Sequence, residues 1–338
     1  MRLHKFQLSQ RHVRLLKFWA EYVGAILTAG SIIVSAAFYL KDRPTRQAAS
    51  ILAAWNLIAE MDEQHIDGGR TEALLELRSH HVSFAGLRVD DAILQDVDLS
   101  GTDLSDSSFR GVRFSHSQMR NSNLTRADLR QAVFSDGCDF GDAQLNDVKV
   151  SGARLALCTL DGANLQGASA DSGTSFDGAS LKGADITNSE FQRTNFDNTV
   201  LSNTQIEETN LAGASFLRAD LTKSRWAAVN ASEGVFEHST GAGPSFLHGS
   251  LFQSASFDSA QLQNATFEHV DLHHASFFAT VLSGSLFQDC DLSGANFTSA
   301  DLTNVRFVRC NIDRAIFRRA KRDPNAFQGC QGRIAESE

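Results

Sequence analysis

A large apolar residue recurs at every fifth position through most of this 338-residue chain. In residues 290–317, CDLSGANFTSADLTNVRFVRCNIDRAIF, a small residue also stands two places before each of these centres. The centres are Leu292, Phe297, Leu302, Phe307, Ile312 and Phe317. A helix repeats its buried face every 3.6 residues and a strand every 2, so neither element has this period. The chain therefore needs a fold that itself repeats every five residues.

A longer period lies inside the first. The centres run through residues 82–319 with three steps of six residues, at Phe134/Phe140, Ala170/Phe176 and Phe246/Phe252. Every fourth centre belongs to one mostly aromatic column: Leu94, Phe114, Phe134, Leu155, Phe176, Phe196, Phe216, Phe236, Phe257, Phe277, Phe297 and Phe317. Four units therefore make one turn of a solenoid, in which stacked turns bury a continuous interior.

The polar residues fit the corners of such a solenoid. Asn, Asp, Ser and Gly are abundant between the inward positions, and these residues tolerate tight turns and form hydrogen bonds within them. Several carboxylates stand directly before a centre: Asp98, Asp103, Asp128, Asp220, Asp291 and Asp301. We expect them to accept hydrogen bonds from turn amides, a role that explains their position without catalysis.

The repeated unit resembles the pentapeptide-repeat family. Its form Ala-Asp/Asn-Leu-x-x, with Ile in one case, is seen at residues 127–129, 163–165, 184–186, 219–221 and 300–302. The resemblance covers about seventy per cent of the chain and implies the family's right-handed quadrilateral β-helix. We expect a β-solenoid of about twelve coils, preceded by a transmembrane helix and short capping helices.

Residues 22–40 contain no charged side chain. Nineteen residues of helix span about 28 Å, close to the hydrocarbon thickness of a bilayer. Trp19 and Tyr39 lie near its two ends, as aromatic residues do at membrane interfaces. A buried core helix and a cleaved signal peptide ending near Ser35-Ala36-Ala37 are the alternatives. We predict a retained single-pass anchor at residues 19–41, in a bacterial inner membrane.

Two features of the sequence favour opposite sides of the membrane for the solenoid. Lys and Arg are in excess before the apolar segment, which favours a cytoplasmic N-terminus and a periplasmic or external solenoid. Four cysteines occupy the small inward position and are predicted to be buried reduced thiols, which fits the cytoplasm instead. These are Cys138, Cys158, Cys290 and Cys310. Small residues at spacing four in the anchor, such as Ala25 and Ala29, place a homodimer among the expected partners.

These features divide the chain into five segments. They are a basic segment at 1–18, the anchor at 19–41, a helical stalk and cap at 42–81, the β-helix at 82–319 and a C-terminal cap or tail at 320–338. Within the third, residues 44–62 read as one helix and 70–81 as the cap of the first coil. A solenoid needs such a cap because its first turn exposes apolar edge.

The sequence offers little catalytic or metal-binding chemistry. It has neither a nucleophile-elbow motif nor a phosphate-binding loop. His269 and His274 each follow a centre by two on neighbouring faces, without an evident third ligand. We therefore expect no catalytic residues, no metal and no cofactor.

Two regions are candidate partner-binding sites. One is the basic cluster Arg318, Arg319, Lys321 and Arg322, which either shields the last edge of the solenoid or meets an anionic lipid or an acidic protein surface. The other is the irregular zone 227–251, which contains His238, His248 and Pro244 and has weak centres. This zone is either a local bulge or kink in the solenoid or a protruding recognition loop.

The leading functional hypothesis is a non-catalytic, membrane-anchored scaffold that presents a rigid β-helix to a protein partner. The net charge of −9 argues against sequence-specific nucleic-acid binding, which needs a surplus of Lys and Arg. It leaves open a DNA mimic acting on a topoisomerase, as the resemblance implies for some family members. A third hypothesis, an exported module binding cell-wall or carbohydrate material, depends on topology.

Overall fold

The computed structural model describes residues 46–58 and 69–335. The chain divides into two compact units, Met1–Asn56 and Leu57–Glu338. Residues 46–58 are helical and form α1. Within the described residues no helix is long and apolar enough to cross a membrane. The predicted basic segment 1–18 and the predicted anchor 19–41 lie outside these residues.

The second unit is a helix followed by short parallel strands. Helix α2 spans Arg70–Ser79. The strands are β1 (Ile93–Gln95), β2 (Arg113–Ser115), β3 (Val133–Ser135), β4 (Asp185–Thr187), β5 (Gln205–Glu207), β6 (Arg225–Ala227), β7 (Ser245–Leu247), β8 (Thr266–Glu268), β9 (Leu286–Gln288), β10 (Asp301–Leu302), β11 (Arg306–Val308), β12 (Lys321–Arg322) and β13 (Phe327–Gln328). They form sheets β1-β2-β3, β10-β12 and β13-β11-β9-β8-β7-β6-β5-β4.

Each strand pairs with the equivalent residues one coil further along the chain. Phe114 lies opposite Phe134, and Phe267 opposite Phe287, a separation of twenty residues. Further parallel bridges between Arg88 and Gln331 complete four ladders per coil. The separation rises to twenty-one at Gln118/Asp139, Arg154/Ser175 and Ser245/Thr266, which follows from the three six-residue steps. The predicted β-solenoid of about twelve coils is therefore confirmed.

The ladder continues past residue 319, where the sequence analysis ended the β-helix. Strand β12 pairs with β10, and β13 pairs with β11. A last bridge joins Asn311 to Gln331. The periodicity hid this coil because Arg322 occupies the position of an apolar centre. Phe327 nevertheless continues the column of Phe307.

The corners of the coils use backbone conformations that suit Gly, Asn and Asp. In the first coil, the Leu87 amide donates to the Phe84 carbonyl (2.9 Å), and Gly86 between them has φ 74°. The same left-handed position recurs along the solenoid and is often Asp or Asn, as at Asp91 (φ 57°). Each predicted turn carboxylate accepts a hydrogen bond from the amide two residues later, as the Asp98 carboxylate does from Ser100 (2.9 Å). The others are Asp103, Asp128, Asp220, Asp291 and Asp301. That prediction is confirmed.

The interior consists of stacked side-chain columns. Phe277 lies between Phe257 and Phe297, with ring centroids 4.9 and 4.7 Å away and planes within 3° of parallel. A second column, with Phe267 and Phe287 4.5 Å apart, meets the first edge to face. Stacked and edge-to-face rings are both favourable arrangements, so the two columns pack as one interior.

The irregular zone 227–251 is continuous solenoid. Strand β6 pairs with β7 in register, and the single extra residue of this zone lies in the corner that follows β7. Trp226 is fully buried, while the other inward centres of its coil include Ala231 and Gly241. A side chain on Gly241 would meet the Leu221 backbone at 2.9 Å. Gly241 is therefore small because the backbone of the preceding coil approaches it closely. The zone has no protruding loop, and its one extra residue is a local bulge at a corner of the continuous ladder.

The two ends of the solenoid are covered differently. At the first coil, helix α2 packs against β1 and buries Leu74 and Leu77 completely. Arg78 of this helix forms an ion pair with Asp98 of that coil (2.9 Å). At the last coil, the Arg322 guanidinium lies over the rings of Phe317 (5.8 Å) and Phe327 (5.1 Å). A helix thus covers one edge and a cation–π contact the other.

Candidate functional site: an acidic band and a basic end

The surface of the later coils is segregated by charge. Residues 226–305, called the acidic band below, contain no Lys or Arg and eight carboxylates, none of them buried: Glu233, Glu237, Asp258, Glu268, Asp271, Asp289, Asp291 and Asp301. Residues 306–335, called the basic end, contain eight Lys or Arg and only Asp313 and Asp323 as acids. The eight cations are Arg306, Arg309, Arg314, Arg318, Arg319, Lys321, Arg322 and Arg333. The field near this surface therefore reverses sign over a few coils.

The four predicted basic residues differ in what they contact. Lys321 lies 3.9 Å from the Asp301 carboxylate, and Arg322 packs on the interior phenylalanines. Arg318 and Arg319 are exposed, and within the described part of the chain neither has a carboxylate in ion-pair range. Arg322 thus covers the edge, whereas Arg318 and Arg319 are available to a partner.

The histidines of the acidic band lie on its outer surface. His238 and His248 are both exposed, but they belong to different columns of the solenoid. His248 stacks obliquely on His269 of the next coil, with ring centroids 5.1 Å apart. The structure therefore places His248 in a cluster that does not include His238.

The five-residue spacing relates His269 to His274, whereas in the structure His269 lies against His248. One ligand atom from each of His269, His248 and Glu268 lies within 4.8 Å of the other two. The two histidines are twenty-one residues apart because a six-residue step falls between them. The sequence predicts this pair if the coil length is taken as twenty-one residues here, to include the extra residue between Phe246 and Phe252.

His273 and Asp271 form a close pair that belongs to a turn. The His273 ring nitrogen Nδ1 lies 2.7 Å from the Asp271 carboxylate, to which the His273 amide also donates (3.1 Å). Partial burial raises the pKa of Asp271, but the bonds from His273 and Gln253 outweigh it and leave the pKa lowered. Asp271 therefore accepts a hydrogen bond from the amide two residues later, as the six predicted turn carboxylates do.

The cysteines are packing residues. All five are free thiols, and the four predicted at inward positions are buried, which confirms that prediction. The Cys290 and Cys310 thiols donate to the carbonyls of Phe267 (3.3 Å) and Phe287 (3.4 Å). The contact with Cys310 and burial raise the pKa of Cys290, which keeps this thiol protonated and unreactive.

Family models match most of the solenoid. "Pentapeptide repeats (8 copies)" matches residues 84–136, 138–171 and 172–203, and "Pentapeptide repeat region" matches residues 245–317. Together these ranges cover more than half of the chain. Comparison with curated proteins gives no match.

Solved structures of similar proteins include three of low sequence identity, two of which are described as pentapeptide repeat proteins. HetL of Nostoc sp. strain PCC 7120, involved in heterocyst differentiation regulation, is 19% identical over 77% of this chain and 93% of its own, with TM-score 0.29. QnrB1, a plasmid-mediated fluoroquinolone resistance protein, is 21% identical over 57% and 83%, with TM-score 0.29. A protein of the Arabidopsis thaliana thylakoid lumen is 24% identical over 38% and 67%, with TM-score 0.14.

Proposed function

The chain belongs to the pentapeptide-repeat family, and from that premise we propose that it is a non-catalytic scaffold whose β-helix binds a protein partner. The charge segregation of the later coils carries this proposal. Solenoids recognise partners through extended regular surfaces, and charge reversal along such a surface fixes the register of a partner. The partner is a protein with an acidic patch that meets Arg318 and Arg319.

The proposal includes attachment to a bacterial inner membrane through residues 19–41. The nineteen uncharged residues 22–40 support it. The side of the membrane is testable by cysteine labelling, because Ser299 is exposed on the solenoid. In intact spheroplasts, a membrane-impermeant maleimide should label Ser299→Cys above the background of the wild-type chain if the solenoid is external. Labelling only after lysis would place it in the cytoplasm.

Charge reversal at the basic end tests partner binding. We expect a partner protein to copurify with the full chain when it is solubilised from its native membrane. The amount of that protein should fall at least tenfold with the variant R318E/R319E. R218E is the matched control, because Arg218 and Arg319 have the same turn position in the same column, with φ of 58° and 56°. Retention that is equal in all three chains, or absent from all three, would refute the proposal.

The acidic band favours a second candidate function. A surface without cations over four coils can mimic the polyanionic backbone of DNA, which fits a protein that acts on a topoisomerase. A gyrase supercoiling assay with the full chain tests this candidate. Inhibition that E233Q/E237Q relieves would support it, with E190Q outside the band as control. Supercoiling unaffected at micromolar protein would eliminate it.

A further inference from the structure

His248 and His269 lie one above the other on consecutive coils. Each follows a buried phenylalanine by two residues, and those phenylalanines, Phe246 and Phe267, are direct partners of β7 and β8. Glu268 directly precedes His269, and its Oε1 lies 3.8 Å from His269 Nδ1. One ligand atom from each of His248, Glu268 and His269 falls within a 4.8 Å cluster. Two imidazoles and a carboxylate thus converge on one point outside the solenoid.

From this geometry we propose that His248, Glu268 and His269 bind a divalent transition-metal ion, with zinc the best match. Two histidines and one carboxylate form a recurrent zinc ligand set, and imidazole suits zinc while carboxylate completes its charge. Tetrahedral bonds of about 2.0–2.1 Å set ligand atoms about 3.4 Å apart. The cluster therefore needs to contract by little more than 1 Å. Because His248 and His269 are exposed, rotation of their side chains can provide it.

A fourth residue is placed to orient one of these ligands. Asp289 Oδ2 lies 3.6 Å from His269 Nε2, whereas Glu268 approaches the other ring nitrogen, Nδ1. The Arg309 guanidinium holds that carboxylate in place with two bonds (2.7 and 2.6 Å). If the His269 ring turns slightly to bring this pair within hydrogen-bond distance, the carboxylate will hold the proton on Nε2 and leave Nδ1 free for the metal. Asp289 is therefore a positioning residue for His269.

The surroundings favour a cation at this point. The site lies inside the acidic band, where the chain carries no Lys or Arg between Arg225 and Arg306. The carboxylates of the band raise the local concentration of divalent cations, although Asp289 beside His269 is itself paired with Arg309. Three protein ligands on an exposed surface leave the fourth position to water or to a side chain of a partner. The ion would also tie two consecutive coils together.

Titration of the untagged full chain with Zn²⁺ alone tests the proposal. We expect one zinc per chain by calorimetry, with affinity reduced at least tenfold in H248A and in H269A. H238A is the matched control, because His238 is exposed in the same band on another column. All three histidines are exposed, so unchanged circular dichroism will show that the variants fold. Lack of stoichiometric zinc binding, or equal binding by wild type, H248A and H269A, would overturn the site.

Two further readouts separate this site from binding elsewhere. Co²⁺ at the site should give visible d–d bands without the near-ultraviolet charge-transfer band of a thiolate, because no cysteine is a ligand. D289N should weaken zinc binding about 10–100-fold, as loss of an orienting carboxylate does. D106N is its control, since Asp106 forms the same two-bond ladder pair with Arg126 in an early coil. A thiolate band, or equal effects of D289N and D106N, would contradict the assignment.

Discussion

Arginines of the front coils, residues 84–147, reach along the ladder to carboxylates of a neighbouring coil. The acidic band contains no Lys or Arg, and cations of the basic end reach only its last coil, where Arg309 binds Asp289 and Lys321 approaches Asp301. Arg126 makes two bonds to Asp106 (2.7 and 2.6 Å), and Arg120 approaches both Asp139 and Asp142. The band has the same backbone ladder, but six of its eight carboxylates form no ion pair with Lys or Arg within the described residues. Exposed charge pairs are therefore dispensable for this fold, and the band's surface is open to other roles.

The interiors of the two regions differ as well. The front coils bury Leu, Val and Met beside phenylalanine, while the band buries two nearly unbroken phenylalanine columns. Both interiors fit the same ladder because backbone hydrogen bonds between coils set the spacing. Inward and outward positions can therefore vary independently, so a regular core places no constraint on surface function.

The largest expected effect comes from interrupting a phenylalanine column of the band. F277A should lower the free energy of unfolding by about 3–5 kcal/mol, because it leaves a cavity between two stacked rings. F278A is the control, since the Phe278 side chain is next in sequence but 44% exposed. Guanidinium unfolding of both variants measures the difference. Equal losses would show that the columns do not carry the stability of the band.

The turn bonds that carboxylates accept should matter equally in the two regions. Asp103 accepts from the Ser105 amide (3.1 Å) in a front coil, and Asp291 from the Ser293 amide (2.9 Å) in the band. Loss of the turn bond alone should lower the free energy of unfolding by about 1 kcal/mol in both D103A and D291A. D103A should lose somewhat more in total, because Asp103 also accepts bonds from the side chains of Ser83, Ser105 and Asn123, whereas Asp291 accepts one more, from Asn311. D291N should stay near wild type, because Asn230 already accepts the Ser232 amide (3.2 Å) in this role. A loss in only one region would mean that the turns are not equivalent.

Acid should weaken the front coils through Asp128. Two bonds from Arg130 lower the pKa of Asp128 more than partial burial raises it. A carboxyl with a lowered folded-state pKa stabilises the protein above its unfolded pKa, about 3.9, and this contribution is lost as pH falls through the folded pKa. The Tm gap between wild type and D128N should therefore narrow from pH 7 to about pH 2. The Tm difference between wild type and R130Q should narrow over the same pH range. A Tm difference that does not depend on pH would contradict the assignment of the lowered pKa to Arg130.

Added salt should have the smallest effect on local stability, and the effect should have opposite signs in the front coils and the acidic band. Raising ionic strength from about 0.01 to 1 M shortens the Debye length from about 30 to 3 Å. It should weaken the exposed pairs of the front coils and relieve repulsion within the acidic band. Hydrogen exchange followed by mass spectrometry should show reduced amide protection at residues 84–147 and increased protection at residues 226–305. If amide protection changed with the same sign in both regions, the proposed electrostatic difference between them would be wrong.

Much of the fold could be predicted because each inward position repeats a simple volume requirement. The register shifts, the turn carboxylates and the buried cysteines all follow from position within the five-residue unit. Gly241 shows one limit of the periodicity, which compares side chains within a column and gives no account of a missing one. The structure explains this glycine by the Leu221 backbone of the preceding coil, which a side chain would meet at 2.9 Å. Arg322 hid the final coil for a related reason, since its cation–π contact replaces an apolar centre.

The surface could be predicted only in part. The basic residues Arg318 and Arg319 stand out in the sequence, but their difference from Arg322 depends on the direction in which each side chain points. The His248–His269 pair was missed because the residues are distant in sequence and a one-residue step disturbs their spacing. Contacts between coils have to be counted along the ladder rather than along the chain.

Site-specific photocrosslinking in living cells tests the scaffold most directly. A benzophenone amino acid would replace Arg319 in one full-length chain and Arg218 in another, two equivalent turn positions on one column. We expect a single adduct of defined mass from position 319, lost when Arg318 is also changed to Glu, and no adduct from position 218. Identical adducts from both positions, or none from position 319, would contradict a partner-binding basic end.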